Sequence, residues 1–293
     1  MQETITAGVD GTPESSAAVL WAAREAQLRR ARLRLLHAWV LLAPEPAGPP
    51  GEESDQNYWP HRMMDEVTDT VRARYPDLPL ERELVPEDPL EALADAAGRS
   101  DLLVLGTRDL GPVSRYVLGE VGLQLIARTT TPTVLVRTRQ EAAVAGRGGD
   151  VVVGVGLHEP HEPQLAFAFD CALRHGVTLR AVHGRHLPSF AYNRGGGVEP
   201  YAAEEAAAVA RKDLARALSP WREKYPDVVV DARVELESPA PALLHDTADA
   251  GLLVVGRRHR RLRPAPRIGH IVQAVVHHAA CPVAVVPYEG KGG

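Results

Sequence analysis

The segment Asp101-Leu-Leu-Val-Leu-Gly106 returns 150 residues later as Gly251-Leu-Leu-Val-Val-Gly256. In both copies four apolar residues run without a polar break and end on glycine. Such a run marks a strand buried on both faces, as in a parallel sheet covered by helices. Working outward, Tyr75-Pro76-Asp77 recurs as Tyr225-Pro226-Asp227, Gly119 as Gly269 and Pro132 as Pro282, at the same offset. Upstream the offset falls to 146: Gly8 pairs with Gly154, Leu33-Arg34 with Leu179-Arg180, and His37 with His183. A repeat of roughly 145 residues is a whole domain, not a solenoid unit. The four-residue difference falls between His183 and Tyr225, most simply in the loop around Asn193 to Gly197. The joint lies near Gln140–Gly149, where Ala, Gly and Arg dominate. Two domains are expected, residues 1–140 and 150–288.

Each repeat alternates strand and helix. In the first, Thr4–Val9 is an apolar run ended by Asp10-Gly11, a strand followed by a turn. Ser15–Arg29 carries Ala18, Leu20, Ala22, Ala23 and Ala26 among charges, a helix. Leu33–Trp39 is the second strand, and Ala43–Gly51, with four prolines and two glycines, is a loop. Tyr58–Arg74 is a helix closed by Tyr75-Pro76, and Leu80–Val85 a strand. Pro89–Ala97 starts with proline at a first helical position. Leu102–Leu105 is a strand, Val117–Arg128 a helix and Thr133–Val136 the last strand; the second repeat keeps this order from Val151 to Val286. The alternation predicts an α/β fold of two tandem doubly wound domains, each a parallel sheet with helices on both faces. Ligands of such sheets bind at the carboxyl ends of the strands, where strand order reverses. That places Asp10–Pro13, Ala38 and Gly106–Glu120 side by side.

Composition narrows the function classes. With 45% hydrophobic and 24% charged residues, the 293-residue chain is an ordinary globular protein rather than a disordered one. No apolar run approaches the ~20 residues that span a bilayer, and the start, MQETITAGVDG, lacks the basic and apolar regions of a secretory signal. Two cysteines, Cys171 and Cys281, make no disulfide framework, which fits a reducing cytoplasm. A net charge of −5 argues against a dedicated nucleic-acid binder. Aromatics are only 5%, so the cores must be built from Val, Leu and Ala.

Gly8-Val-Asp-Gly-Thr-Pro13 before an Ala-rich helix, Leu33-Arg-Leu-Leu-His-Ala-Trp39, Val104-Leu-Gly-Thr-Arg108 with Gly119, and Thr131-Pro-Thr-Val-Leu-Val136 form one ordered set. The second repeat shows Val152-Val-Gly-Val155, Leu179-Arg-Ala-Val-His183, Val254-Val-Gly-Arg257, Gly269 and His277-His-Ala-Ala-Cys-Pro-Val-Ala-Val-Val286. Found twice over nearly the whole chain, the set resembles the universal stress protein family in its tandem-domain form. The resemblance implies five parallel strands per domain, in an adenine nucleotide alpha hydrolase-like fold. In one branch of the family it also implies ATP or another adenine nucleotide, with magnesium only alongside the nucleotide. That branch carries G-x2-G-x9-G-[ST] after strand four. Its glycines let backbone N–H groups approach phosphate, and its last pair opens a helix whose positive end faces the anion. By this resemblance the ligand residues are Val9, Asp10, Gly11, Ala38, Gly106, Arg108, Asp109, Gly119, Glu120 and Val121, with Gly256 and Gly269 in the second half.

Both halves depart from the pattern. In the first, Gly106 and Gly119 are in register, but the second glycine is Asp109 and the Ser/Thr is Glu120; Gly111 is out of register. Asp10 and Ala38 match the positions that would hold ribose and adenine. Two carboxylates then stand where a polyphosphate should lie. Each costs ~1 kcal/mol at ~4 Å in water and ~4 at an intermediate dielectric. Glu120 also suits a helix N-terminus for its own sake. ATP binding in the first half is therefore expected to be weak. In the second half Gly156 replaces the aspartate, His259 the second glycine and His270 the Ser/Thr. The stretch Arg257–Arg267 carries Arg257, Arg258, Arg260, Arg261, Arg263 and Arg267. A solvated loop, an anion site and a nucleic-acid contact are its three readings. The anion reading expects a phosphate-rich ligand that binds better toward pH 6, as histidines charge.

Other features have ordinary readings. His277-His278 near Cys281 face different ways on a helix, so they read as a helix C-terminus rather than a metal site. Ser15 and Ser16 read as helix caps, since no histidine is placed to activate them. His37 and His183 read as hydrogen-bonded core histidines. The apolar terminal strands Thr133–Val136 and Val283–Val286 would be hazardous at a bare edge, so an intramolecular pseudo-dimer of the two domains is expected; a homodimer is compatible with it. The expected function is a non-enzymatic stress-response module that senses an adenine nucleotide in its N-terminal domain. The alternative is a scaffold for a protein partner, with degenerate sites. No general base or metal motif supports an ATP hydrolase.

Overall fold

The computed structural model describes residues 2–40, 58–107, 120–137, 149–157, 162–186, 200–259 and 268–289. The chain divides into two compact units, Met1–Gly146 and Arg147–Gly293. The first runs β1 (Thr4–Gly8), α1 (Pro13–Arg29), β2 (Arg32–Ala38), α2 (Tyr58–Arg74), β3 (Leu80–Val85), α3 (Pro89–Gly98), β4 (Leu102–Gly106), α4 (Glu120–Arg128) and β5 (Thr133–Val136). Its strands are parallel in the order β3-β2-β1-β4-β5. The second runs β6 (Val151–Gly154), α5 (Glu162–His175), β7 (Leu179–Gly184), α6 (Pro200–Lys224), β8 (Val230–Glu235), α7 (Pro239–His245), β9 (Leu252–His259), α8 (His270–His278) and β10 (Val283–Glu289). Its strands are parallel in the order β8-β7-β6-β9-β10. The chain reverses direction across the sheet between β1 and β4, and between β6 and β9, and the carboxyl ends of those pairs are where a ligand fits.

The quoted apolar runs are β4 and β9, and Leu102, Leu103 and Val104 are fully buried, as are Leu252, Leu253 and Val254. Helix α1 lies on β1 and β4 through Ala17, Ala18, Ala22 and Ala23, whose short side chains let backbone approach backbone. The core is mostly Val, Leu and Ala, as the aromatic shortage requires; Trp21, Phe169 and Met64 are among its larger members.

Helix ends follow local chemistry, with one correction. The cap of α1 is Thr12, not Ser15 or Ser16: Thr12 Oγ1 accepts the Ser15 N–H at 3.1 Å. The two serine hydroxyls donate to the Thr12 carbonyl at 3.0 and 3.2 Å. A cap oxygen must precede the first helical residue to reach the open amides, and Pro13 fixes that first residue. Asp88 caps α3 in the same way, accepting from Leu90 N and Glu91 N before Pro89. At the other end, α1 stops on Arg30 with φ +52°. The repeat position after α5 is Gly176, with φ +65°.

A second correction concerns the arginine stretch, expected as a loop from Arg257. Arg257, Arg258 and His259 belong to β9, paired in register with Pro287, Tyr288 and Glu289 of β10. The ladder continues because each further residue satisfies backbone groups that a loop would leave to water. Arg257 is buried, and burial pushes its guanidinium down to about 10. Arg260, Arg261, Arg263 and Arg267 lie outside the described residues, as do the loops at 43–51 and 193–197.

Candidate functional site

In the first unit the expected nucleoside residues meet at the strand ends. Val9 N donates to Leu36 O at 2.8 Å, carrying the β1–β2 ladder one step beyond the strand. His37 closes the same corner: its Nδ1 lies 2.7 Å from Val9 O. A carbonyl only accepts, so Nδ1 carries the proton. The ring stacks on Trp39 at 5.6 Å. Asp10 is exposed at the end of β1, and its Oδ1 accepts from Thr12 N at 3.0 Å and Thr12 Oγ1 at 2.6 Å. The carboxylate therefore shapes the turn into α1 besides facing solvent. Gly11 takes φ +77°, and a β-carbon there would meet Met63 Sδ of α2 at 2.8 Å.

Gly106 has a packing reason to be glycine. A β-carbon would lie 2.5–2.7 Å from the Glu14 and Ser15 backbone in the first turn of α1. Ala38 is half-buried at the end of β2, and Val121 is exposed in the first turn of α4. Arg108, Asp109 and Gly119 lie outside the described residues, and Glu120 is placed only as the first residue of α4. The structure thus brings Val9, Asp10, Gly11, Ala38 and Gly106 together at one sheet end.

The second unit repeats the corner with different chemistry. His183 Nδ1 lies 2.8 Å from Val155 O, the same clamp at the repeat position. Beyond it opens a cavity of about 570 Å³ at the carboxyl ends of β6, β7 and β9. Gly154, Val155, Gly156, Gly184 and Gly256 line it, the repeat positions of Gly8, Val9, Asp10, Ala38 and Gly106. Its volume suits a small organic ligand, and most of its exposed wall is apolar. Gly269 caps α8, and among the described residues a β-carbon there would meet nothing within 4 Å. His277 and His278 lie in the last turn of α8, as read from sequence.

Sequence reasoning missed Gln164, Arg185, His186, Asp213 and Tyr288, all of which line the cavity. Asp213 was within reach of the repeat: counted back 150 residues it falls on Met63, the residue over Gly11. Gln164 Nε2 donates to Gly154 O at 2.6 Å, and its Oε1 occupies the space a β-carbon on Gly256 would need. Arg185 donates to Ala206 O at 3.5 Å, and His186 Nε2 lies 3.1 Å from Ser238 Oγ.

A family model described as the universal stress protein family matches residues 1–137 and again 149–287. The chain belongs to the universal stress protein family. A universal stress protein of Mycolicibacterium smegmatis is 33% identical over 291 residues, covering 96% of each chain. A solved universal stress protein from Archaeoglobus fulgidus aligns over 97% of this chain and 98% of its own, with a TM-score of 0.63 at 14% identity. A third, solved in complex with cAMP, is 25% identical over 47% of this chain and 98% of its own, with a TM-score of 0.36. As a tandem universal stress protein, the chain carries two Usp domains and two versions of one strand-end corner. Among the described residues, no helix is long and apolar enough to cross a membrane.

Proposed function

We propose that this universal stress protein is a non-enzymatic sensor that binds an adenine nucleotide in its first unit. The observation that carries the reading is the convergence of exposed Asp10, half-buried Ala38 and Gly106 at the switch point between β1 and β4. Asp10 offers a carboxylate to sugar hydroxyls, while Ala38 leaves room for a base beside the His37–Trp39 stack. By the resemblance, Asp109 and Glu120 stand in place of the second glycine and the Ser/Thr of the phosphate motif, and two added negative charges there weaken ATP binding. The sequence resemblance supports the adenine ring, and the fold supports the location.

The test is thermal unfolding of the full chain with ATP, ADP, AMP and cAMP, with and without magnesium. A ligand at a hundred times its Kd stabilises by about 2.7 kcal/mol. Asp10→Ala abolishes that shift for a ligand of the first unit. Asp109→Gly with Glu120→Ser completes the G-x2-G-x9-G-S pattern and tightens ATP binding by one to two orders of magnitude, roughly 1.4 kcal/mol per tenfold. No shift with any nucleotide, before or after that change, would leave the scaffold reading.

A further inference from the structure

We propose that the first unit holds a second base site at Trp59, so that its ligand is a dinucleotide, two nucleosides joined by one phosphodiester. The proposal rests on the nucleotide reading of Asp10, Ala38 and Gly106 and names the class of that ligand. Helix α2 ends at Arg74 and leads through Tyr75 into the parallel strand β3, so its first turn stands at the carboxyl ends of the strands. Met63 of that helix lies over Gly11, where a β-carbon would meet its Sδ at 2.8 Å. Trp59 precedes Met63 by four residues and shares its face of the helix, about 6 Å further out. The second unit shows which way that face looks. Val209 and Asp213 of α6 occupy the repeat positions of Trp59 and Met63, and both line the cavity there. Position 59 thus borders the strand-end corner, just beyond the residue that covers the turn.

Tryptophan is on average a well-buried residue, yet Trp59 is 57% exposed. Tyr58 meets its ring edge-on at 5.3 Å, and the Arg62 guanidinium lies 5.6 Å from its centroid. Arg62 is itself held in place: Nε donates to Glu66 Oε1 at 3.1 Å and Nη1 to Tyr58 Oη at 3.4 Å. The three side chains form an aromatic step with one cation on it. A base stacks on such a ring whatever its hydrogen-bonding edge, because every base has a π-face. One guanidinium suits the single charge of a phosphodiester. The helical turn between Trp59 and Met63 leaves one sugar-phosphate link between the two bases. A single charge also spares the ligand the polyphosphate that, by the resemblance, Asp109 and Glu120 disfavour.

The experiment is calorimetric titration of the full chain with adenylyladenosine, the 3′,5′-linked dinucleotide, and with AMP, with tryptophan fluorescence read alongside. The dinucleotide binds at least about tenfold tighter than AMP and changes an emission that Trp59→Phe removes. Trp59→Ala removes that advantage, whereas Trp59→Phe, which keeps a stacking face, retains most of it. Both variants keep a melting temperature within a few degrees of the native chain, since the residue is exposed. Arg62→Gln reduces the advantage a few-fold. A longer oligoadenylate separates the two sources of this chemistry. Binding weaker than that of the dinucleotide assigns a free dinucleotide; equal or tighter binding that still needs Trp59 assigns a strand end. Equal affinity for the dinucleotide and AMP, or an advantage untouched by Trp59→Ala, overturns the proposal. So does loss of the advantage in Val209→Ala instead, which would put the site in the second unit. AMP binding that Asp10→Ala abolishes, with no dinucleotide advantage, keeps the nucleotide reading and removes this one. No binding of either ligand at millimolar concentration removes both.

Discussion

Arg30 holds a left-handed backbone at the end of α1, while its repeat position holds Gly176. A non-glycine residue in that region costs roughly 1–2 kcal/mol, part of which glycine returns as extra freedom in the unfolded chain. Arg30→Gly should therefore stabilise the protein by about 0.5–1 kcal/mol, read as a higher urea midpoint with an unchanged slope. Gly106→Ala should do the opposite, at a cost of about 2 kcal/mol, because the added methyl meets the backbone of Glu14 and Ser15 rather than a movable side chain. This second outcome bears on interpretation. Loss of nucleotide binding in a Gly106 variant counts as evidence about the ligand only if unfolding shows α1 still seated. Among the described residues nothing lies within 4 Å of a β-carbon at Gly156 or Gly269, so substitutions there carry little packing cost from those residues.

At the amino ends of the strands each unit ties its elements together with a cluster of ions built on one arginine. In the first, Arg34 of β2 pairs with Glu81 and Glu83 of β3, and Arg99 reaches Glu83 at 2.9 Å. In the second, Arg180 of β7 grips Asp249 with two bonds of 2.8 Å and also meets Asp150 and Asp246. Arg233 of β8 pairs with Asp231 and Asp246. Arg180→Met should cost about 3 kcal/mol, since Asp246, only 10% exposed, is left with fewer cations in a poorly solvated place. Asp249 is 70% exposed, so Asp249→Asn should cost well under 1 kcal/mol. The bond to Arg180 nonetheless holds the Asp249 carboxyl below its ordinary value. A depressed folded pKa contributes stability above the unfolded value, near 4, and loses it as pH falls through the lower folded value. Acid unfolding of the native chain should therefore be slightly steeper below pH 4 than that of Asp249→Asn, with the two curves parallel from pH 5 to 8.

For the molecule as a whole, the duplication made the architecture readable. The offsets of 146 and 150 residues located the strands of both units, because Leu102–Leu105 of β4 and Leu252–Val255 of β9 are buried on two faces and are apolar throughout. The helix start at Thr12 was less readable, since three neighbouring hydroxyl residues compete and only geometry shows which oxygen reaches an amide. The second cavity was read least well. Its polar wall comes from α5 and α6, far along the chain from the glycine motif, so a search confined to the motif could not see Gln164 or Asp213. The ion clusters differ between the units in one telling way. Positions 83 and 99 carry Glu and Arg, whereas their counterparts 233 and 249 carry Arg and Asp. Glu83→Arg alone and Arg99→Asp alone should each destabilise the chain, and the double variant should recover part of the loss, giving a coupling of about 1 kcal/mol in a thermodynamic cycle. A ribosome releasing this chain delivers two sets of strands that are almost interchangeable by shape and greasiness. Were β8 to dock in the place of β3, Arg233 would meet Arg34 and Arg99; were β3 to dock in the place of β8, Glu83 would meet Asp246 and Asp249. Like charges at ~4 Å cost between ~1 and ~4 kcal/mol. The inverted signs would therefore disfavour hybrid sheets while the nascent repeats are still sorting their strands.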